Sequence, residues 1–296
     1  MPDPIRRGDM IIPEILLDAM AGAFAGMKIM GATGAATVQP TLPNEKRGGD
    51  TVKVPYFGIF GELEDVAEGV PLVPQKLGMT EQDAHVQHSG KAFQMTTWTQ
   101  LAAAYADPYG EAARQLVELV ARRADRALIE IASDPTDLPP SQLVDVTVGA
   151  PKGGGGLSYD AFVQAKLGFG DEQRDIVGLA VHSNVLGQMY ALKDGFGRPL
   201  LIDSARDGEL PQFLGVPTFV SDRLPLDTTG PRPVYTSLLL KKNAMAYWFN
   251  AGNMPETLRD PLTDSTIVAT HVYWVGYRYR HLPGFSRPGV VQLRTF

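Results

Sequence analysis

The sequence contains no cysteine. That excludes disulfides, thiolate nucleophiles and thiolate metal sites, and nothing in it suggests secretion. Basic side chains are in deficit, with 27 Lys and Arg against 33 Asp and Glu and a net charge of −6. A protein that grips nucleic acid by neutralising phosphates needs a basic surplus, so the overall balance argues against that class and leaves only local patches open. Long uninterrupted apolar runs are missing too. The nearest, "PEILLDAMAGAFAGMKIM" at 13–30, is broken by Pro13, Glu14, Asp18 and Lys28. It is neither a signal-peptide core nor a membrane span. We read it as an arm with a short helix over 13–30 that docks one apolar face, in a soluble, cytoplasmic protein.

What is present is an ordinary globular composition, 44% hydrophobic and 20% charged over 296 residues. That length suits one large domain or two modest ones. Residues 31–50, punctuated by Pro40, Pro43, Gly48 and Gly49, read as an irregular connection. The strongest single element is "DPYGEAARQLVELVARRADRALIEIAS". Asp107 is a good N-cap and Pro108 suits the first helical position. Leu116, Val120, Ala124, Ala127 and Ile131 recur at spacings of three and four, with Val117 and Leu128 widening the stripe. Glu118 stands four before Arg122, a favourable pair. The pattern predicts a helix over 108–132.

Further on, the spacing predicts a helix capped by Ser158 and a strand in "IVGLAVHSN". Ser183 is then expected to cap a helix starting near 184, and Val216–Ser221 to form a strand between prolines. "SLLLKKNAMAYWFN" and "TIVATHVYWVGYRYRH" read as one strand each, the second unusually long, with Tyr273, Trp274, Tyr277 and Tyr279 as strand packing.

Catalytic patterns are weak. His85 and His88 are three apart, which on a strand puts them on opposite faces and makes poor metal-ligand geometry. Gly153–Gly156 follow Lys152 but lead to no Gly-Lys-Ser/Thr, so they read as a flexible loop rather than a phosphate cradle. His182–Ser183 lack a Gly-x-Ser-x-Gly elbow. Lys241–Lys242 and Arg278–Arg280 read as solvated strand faces or subunit-contact charges. No catalytic, cofactor or metal residue is assigned, and the chain is expected not to be an enzyme.

The stretch "GDTVKVPYFGIFGELEDVAEGVPLVPQKLGMTEQD", 49–83, raises a different question. It alternates like a strand and carries Pro55, Pro71 and Pro74. Its apolar residues have no evident surface of their own to cover. Prolines bar it from the middle of a sheet, and an isolated two-stranded ribbon is marginal in water. It should therefore be ordered against something else, and a neighbouring copy is the natural candidate. Val52, Val54, Phe57, Ile59 and Phe60, with the acidic Glu62, Glu64, Asp65 and Glu68, are the candidate subunit-interface residues.

Taken in order, these parts resemble the major capsid proteins of tailed bacteriophages with the Hong Kong 97 fold. "GDTVKVPYFGIFGELEDVAEGVPLVPQKL" is similar to the extended loop and its acidic tip, and "ADPYGEAARQLVELVARRADRALIEIA" to the spine helix. Leu214–Asp222 resembles the family's Leu-Gly-x-Pro-x-x-x-Ser-Asp strand, and "YRYRHLPGFSRPGVVQL" its usual close. The resemblance implies an α+β fold. Its parts would be an N-terminal arm (1–50), an extended two-stranded loop (51–84) and a peripheral domain (85–150) with its spine helix over 108–132. An axial α/β domain (151–265) and a returning peripheral strand with a C-terminal tail (266–296) would complete it.

It further implies a virion protein assembled in the host cytoplasm. Copies would join as pentamers and hexamers into an icosahedral shell around double-stranded DNA held non-specifically. Scaffold would be separate or already cleaved, portal and decoration proteins would be further partners, and no membrane or cofactor is implied. The acidic balance suits a lining that repels the genome. The family's type member joins a loop lysine to a neighbour's asparagine; Lys53 or Lys76 with Asn250 or Asn253 are the residues to consider here, but no local motif picks them out. Two other readings stay open: an encapsulin-type nanocompartment shell of the same fold, and a ligand-binding or enzymatic module using Gly153–Gly156.

Overall fold

A computed structural model describes residues 30–42, 51–57, 65, 79–98, 108–136, 138–148, 156–202, 210–250, 256–279 and 289–296. Of the arm helix expected over 13–30 only Met30 is among them, and most of the ribbon beyond Phe57 lies outside them. In chain order a single helical turn, α1 (Met30–Thr33), leads into β1 (Ala36–Gln39), then β2 (Thr51–Phe57), β3 (Met79–His85), β4 (Gln87–Thr96) and the long helix α2 (Pro108–Ser133). There follow β5 (Leu143–Asp145), α3 (Tyr159–Leu167), β6 (Ile176–Val181), α4 (Ser183–Ala191), β7 (Leu201–Ile202), β8 (Gln212–Phe213) and β9 (Val216–Val220). The last elements are β10 (Leu226–Asp227), β11 (Val234–Lys241), β12 (Met245–Phe249), β13 (Glu256–Asp260), β14 (Ser265–Arg278) and β15 (Val290–Thr295). This is the mixed α+β class expected.

The described strands form three sheets. A five-stranded sheet runs β1-β12-β14-β13, with β4 also paired to β14. An eight-stranded sheet runs β5-β15-β11-β6-β9-β8-β7, with β10 on β11. The pair β2–β3 stands alone as a third. Helix α2 covers the expected helix and adds one residue; at 1.5 Å per residue it is about 39 Å long. Its Ala124, Ala127, Leu128 and Ala132 are buried with Leu238 and Leu240 of β11, Tyr247 of β12 and Trp274 of β14. The helix therefore spans the seam between the two large sheets. Glu118 and Arg122 form the ion pair their spacing predicts. A second core fills the space between the eight-stranded sheet and helices α3 and α4, around Phe162, Phe169, Met189, Phe213 and Leu239.

Four sequence readings are corrected. Residues 31–50 are not all irregular. Gly34, at φ 70°, closes α1 in the left-handed region, and Ala36–Gln39 then pairs in parallel with Met245–Trp248. "SLLLKKNAMAYWFN" is two strands. β11 and β12 belong to different sheets, and Lys242–Ala244 carry the chain across with Asn243 at φ 55°. Ser183 is the first residue of α4, not its cap. His182 is the cap, its Nδ1 accepting the Asn184 N–H at 3.2 Å. Lys241 and Arg278 are not solvated. Both are buried, for reasons given below. The Ser158 cap stands as expected, with Oγ accepting the Ala161 N–H at 3.2 Å.

Arg278 closes the C-terminal end of α2. Its Nη1 donates to the carbonyls of Ile131 at 3.1 Å, Ala132 at 3.4 Å and Asp134 at 2.7 Å. Gln292 Nε2 donates to Ala132 as well, at 3.0 Å. These are carbonyls a helix end leaves without partners, and a cation there also meets the negative end of the helix dipole. Gly276, two residues before Arg278, allows the close approach: a Cβ there would lie 2.3 Å from Ile131 Cδ1.

Past the helix end, Asp134 Oδ1 accepts from the N–H and the hydroxyl of Thr136. The Thr136 hydroxyl, then its N–H, hold the Asp134 carboxyl below its ordinary value of 3.8. A carboxyl with a depressed folded pKa contributes stability that is present above the unfolded pKa and lost as pH falls through the folded one. Thr136→Val is therefore expected to destabilise more at about pH 6 than at about pH 2.5, which urea midpoints at the two pH values would show.

Candidate assembly surface

The sequence points to the ribbon as the assembly element, and the structure fixes its root. β2 and β3 pair antiparallel from Thr51↔His85 to Phe57↔Met79. The strand period of two turns Val52 and Val54 to one face and Lys53 and Pro55 to the other. Val52 is 1% exposed and Val54 8%, packed with Ala84 against Ala246, Trp248 and Val275 of the five-stranded sheet. So the root does have a surface of its own chain to cover. The partner residues lie about 190 positions downstream in sequence, where no local pattern advertises them. Tyr277 of β14 donates its hydroxyl to Gln82 Oε1, which ties the root to the five-stranded sheet, and Thr51 Oγ1 lies 3.3 Å from His85 Nδ1 across the two ribbon strands.

Pro55 is compatible with this arrangement because, among the described residues, β2 has a partner on one side only. Lys53 pairs with Glu81 across the ribbon, and that hydrogen bond raises the ammonium pKa. Asp65 is exposed. Phe57 ends β2, and its side chain, with Ile59, Phe60, Glu62, Glu64 and Glu68, lies outside the described residues, as do Lys76 and Asn253. Asn250 is described; its N–H donates to the Tyr273 carbonyl at 2.9 Å.

The structure does bring a serine, a histidine and an aspartate together. Ser183 Oγ is 3.4 Å from His182 Nδ1, and Asp222 Oδ1 is 3.6 Å from that same nitrogen. A hydrolase triad needs the acid on one ring nitrogen and the serine on the other. Here both crowd Nδ1, which already accepts the Asn184 N–H. The arrangement is a helix start. Asp222 accepts the Ser183 N–H at 3.2 Å, and the Ser183 hydroxyl and N–H hold its carboxyl below the usual value. This gives the Leu214–Asp222 pattern a physical reading. Leu214 and Gly215, at φ 49° and 79°, make the turn between β8 and β9, and the closing Asp222 seats α4.

His85 and His88 do not meet; they lie on different strands, and His88 instead contacts His271 of β14. Of Gly153–Gly156, only Gly156 lies within the described residues. Among those residues no group of three or more His, Asp or Glu is placed to hold a metal.

No family model matches the sequence, and no curated protein matches it. Solved structures do match the fold. The capsid of Ralstonia phage GP4 aligns at TM-score 0.62 and 13% identity, over 92% of this chain and 90% of that one. The capsid of an empty GTA particle aligns at 0.61 and 14% identity, over 100% and 94%. A chain from Mycobacterium phage Che8 aligns at 0.55 and 18% identity, over 83% and 84%. The first two are shell structures and not enzymes. Along nearly its whole length, then, this chain has the fold of a phage capsid protein.

Proposed function

We propose that the chain is a non-enzymatic major capsid subunit that self-assembles, in fives and sixes, into the icosahedral head of a tailed phage around double-stranded DNA. The observation that carries this reading is the end-to-end likeness to capsid structures, covering 90% or more of the chain in two cases. In this reading α2 is the spine and the five-stranded sheet the peripheral panel. The eight-stranded sheet with α3 and α4 is the axial body, drawn mainly from residues 151–265 with β5 and β15 joining it from outside that range, and residues 1–50 hold the arm. The ribbon root is fixed on its own subunit, which leaves Phe57, Ile59, Phe60 and the acidic Glu62, Glu64, Asp65 and Glu68 to reach a neighbour. The net charge of −6 favours a lining that does not adhere to the packaged genome. Separate scaffolding, portal and decoration proteins, and assembly in the host cytoplasm, belong to the same proposal. Among the described residues no helix is long and apolar enough to cross a membrane.

Electron microscopy of the purified chain, alone and with proteins encoded beside it, tests the proposal. Closed shells or rings of five and six support it; a uniform population of monomers in both samples overturns it. The ribbon is tested separately by replacing Phe57, Ile59 and Phe60 together with serine. The expected result is an unchanged far-ultraviolet spectrum and urea midpoint with loss of shells. Normal shells from this variant would remove the ribbon tip from the assembly interface.

A further inference from the structure

We propose that His88 and His271 form a surface site for one divalent transition-metal ion that favours imidazole, in the order copper, nickel, zinc. The site is produced by the register of two strands. In the β4–β14 ladder His88 stands opposite Tyr273 and Gly90 opposite His271. The period of two therefore places both imidazoles on one face as diagonal neighbours. His88 Nε2 lies 3.1 Å from His271 Nδ1, with the ring planes inclined by 26°. Tyr273 stacks on His88 at 4.7 Å and 18°, which supports that ring from the side. Gly90 makes room for the second ring: a Cβ there would sit 2.9 Å from His271 Nδ1.

The spacing suits coordination. Two metal–nitrogen bonds of about 2.05 Å that span 3.1 Å enclose an angle of about 98° at the metal. That lies nearer the 90° of adjacent positions in a square-planar or octahedral complex than the tetrahedral angle, which favours copper and nickel over zinc. Coordination uses the lone pairs of both facing nitrogens, so in the bound state each ring keeps its one proton on the nitrogen turned away from the metal. Water fills the other coordination positions, since the described residues offer no third His, Asp or Glu.

The test uses the full chain without an added histidine tag. Calorimetric titration with Ni²⁺ or Cu²⁺ is expected to show one site per chain. His88→Gln and His271→Gln should each weaken it at least tenfold, while His85→Gln leaves it unchanged. Electron paramagnetic resonance of the Cu²⁺-loaded wild-type chain reads the ligands without any substitution. Coupling to two imidazole nitrogens is the expected result. Absent binding, binding that survives both substitutions, or coupling to one nitrogen or none overturns the site.

Discussion

Replacing Arg278 with alanine is expected to lower the unfolding free energy by about 3–5 kcal/mol, among the largest effects of any single substitution in this chain. Arg278 is 9% exposed, and its guanidinium serves three carbonyls at the end of α2. Its removal takes the donor from one buried and two partly buried carbonyl contacts, and each unsatisfied buried group costs about 1–3 kcal/mol. Gln292 holds only Ala132, so it offsets part of the loss. Arg278→Lys should recover less than half, because all three carbonyls are served from Nη1 and the lysine nitrogen ends one bond short of that position. Urea titration of the three proteins checks the series. An alanine variant within about 1 kcal/mol of wild type would show that the helix end is served from elsewhere.

The second large effect is expected at the crossing between the sheets. Lys241 is 0% exposed, and its ammonium bonds Glu172, whose side chain is 15% exposed. The pairing of β11 with β6 shifts register between Leu240 and Lys241, while Lys241 donates its backbone N–H to the Gly289 carbonyl at 2.9 Å. A buried ion pair contributes little net stability, but removing one partner strands the other charge at a cost of about 3–5 kcal/mol. Glu172→Ala is therefore expected to cost about 3 kcal/mol or more. Lys241→Met should cost less than half as much, because Glu172 has some access to water. The double variant should resemble the lysine single variant. Equal losses from the two single substitutions would contradict this account.

These sites show where the sequence is legible and where it is not. Helix α2 is readable because its signals are local: a capping residue, a proline at the first position, and apolar residues three and four apart. Strand β14 is readable from its length of β-branched and aromatic residues. The crossing at 242–244 is not, since two adjacent lysines resemble a solvated face, and only the fold of Gly170–Asp175 beside them supplies Glu172, a partly buried partner for Lys241. β1 is four residues long, too short for a period to register. Val52 and Val54 are readable as one face of a strand, but what they cover comes from Ala246, Trp248 and Val275. His88 meets a partner 183 positions away, set by strand register and not by any spacing in the sequence.

The placement of β14 also bears on how the chain carries mechanical load. β14 pairs with β4 over ten residues along one edge, and with β13 and β12 over five each along the other. Tension applied along its axis meets all these ladders in shear, so they must slip together instead of unzipping one pair at a time. Arg278, its last residue, grips the end of α2 directly. A pull on β14 is thus handed from strand to helix through a side chain, without first having to straighten a loop.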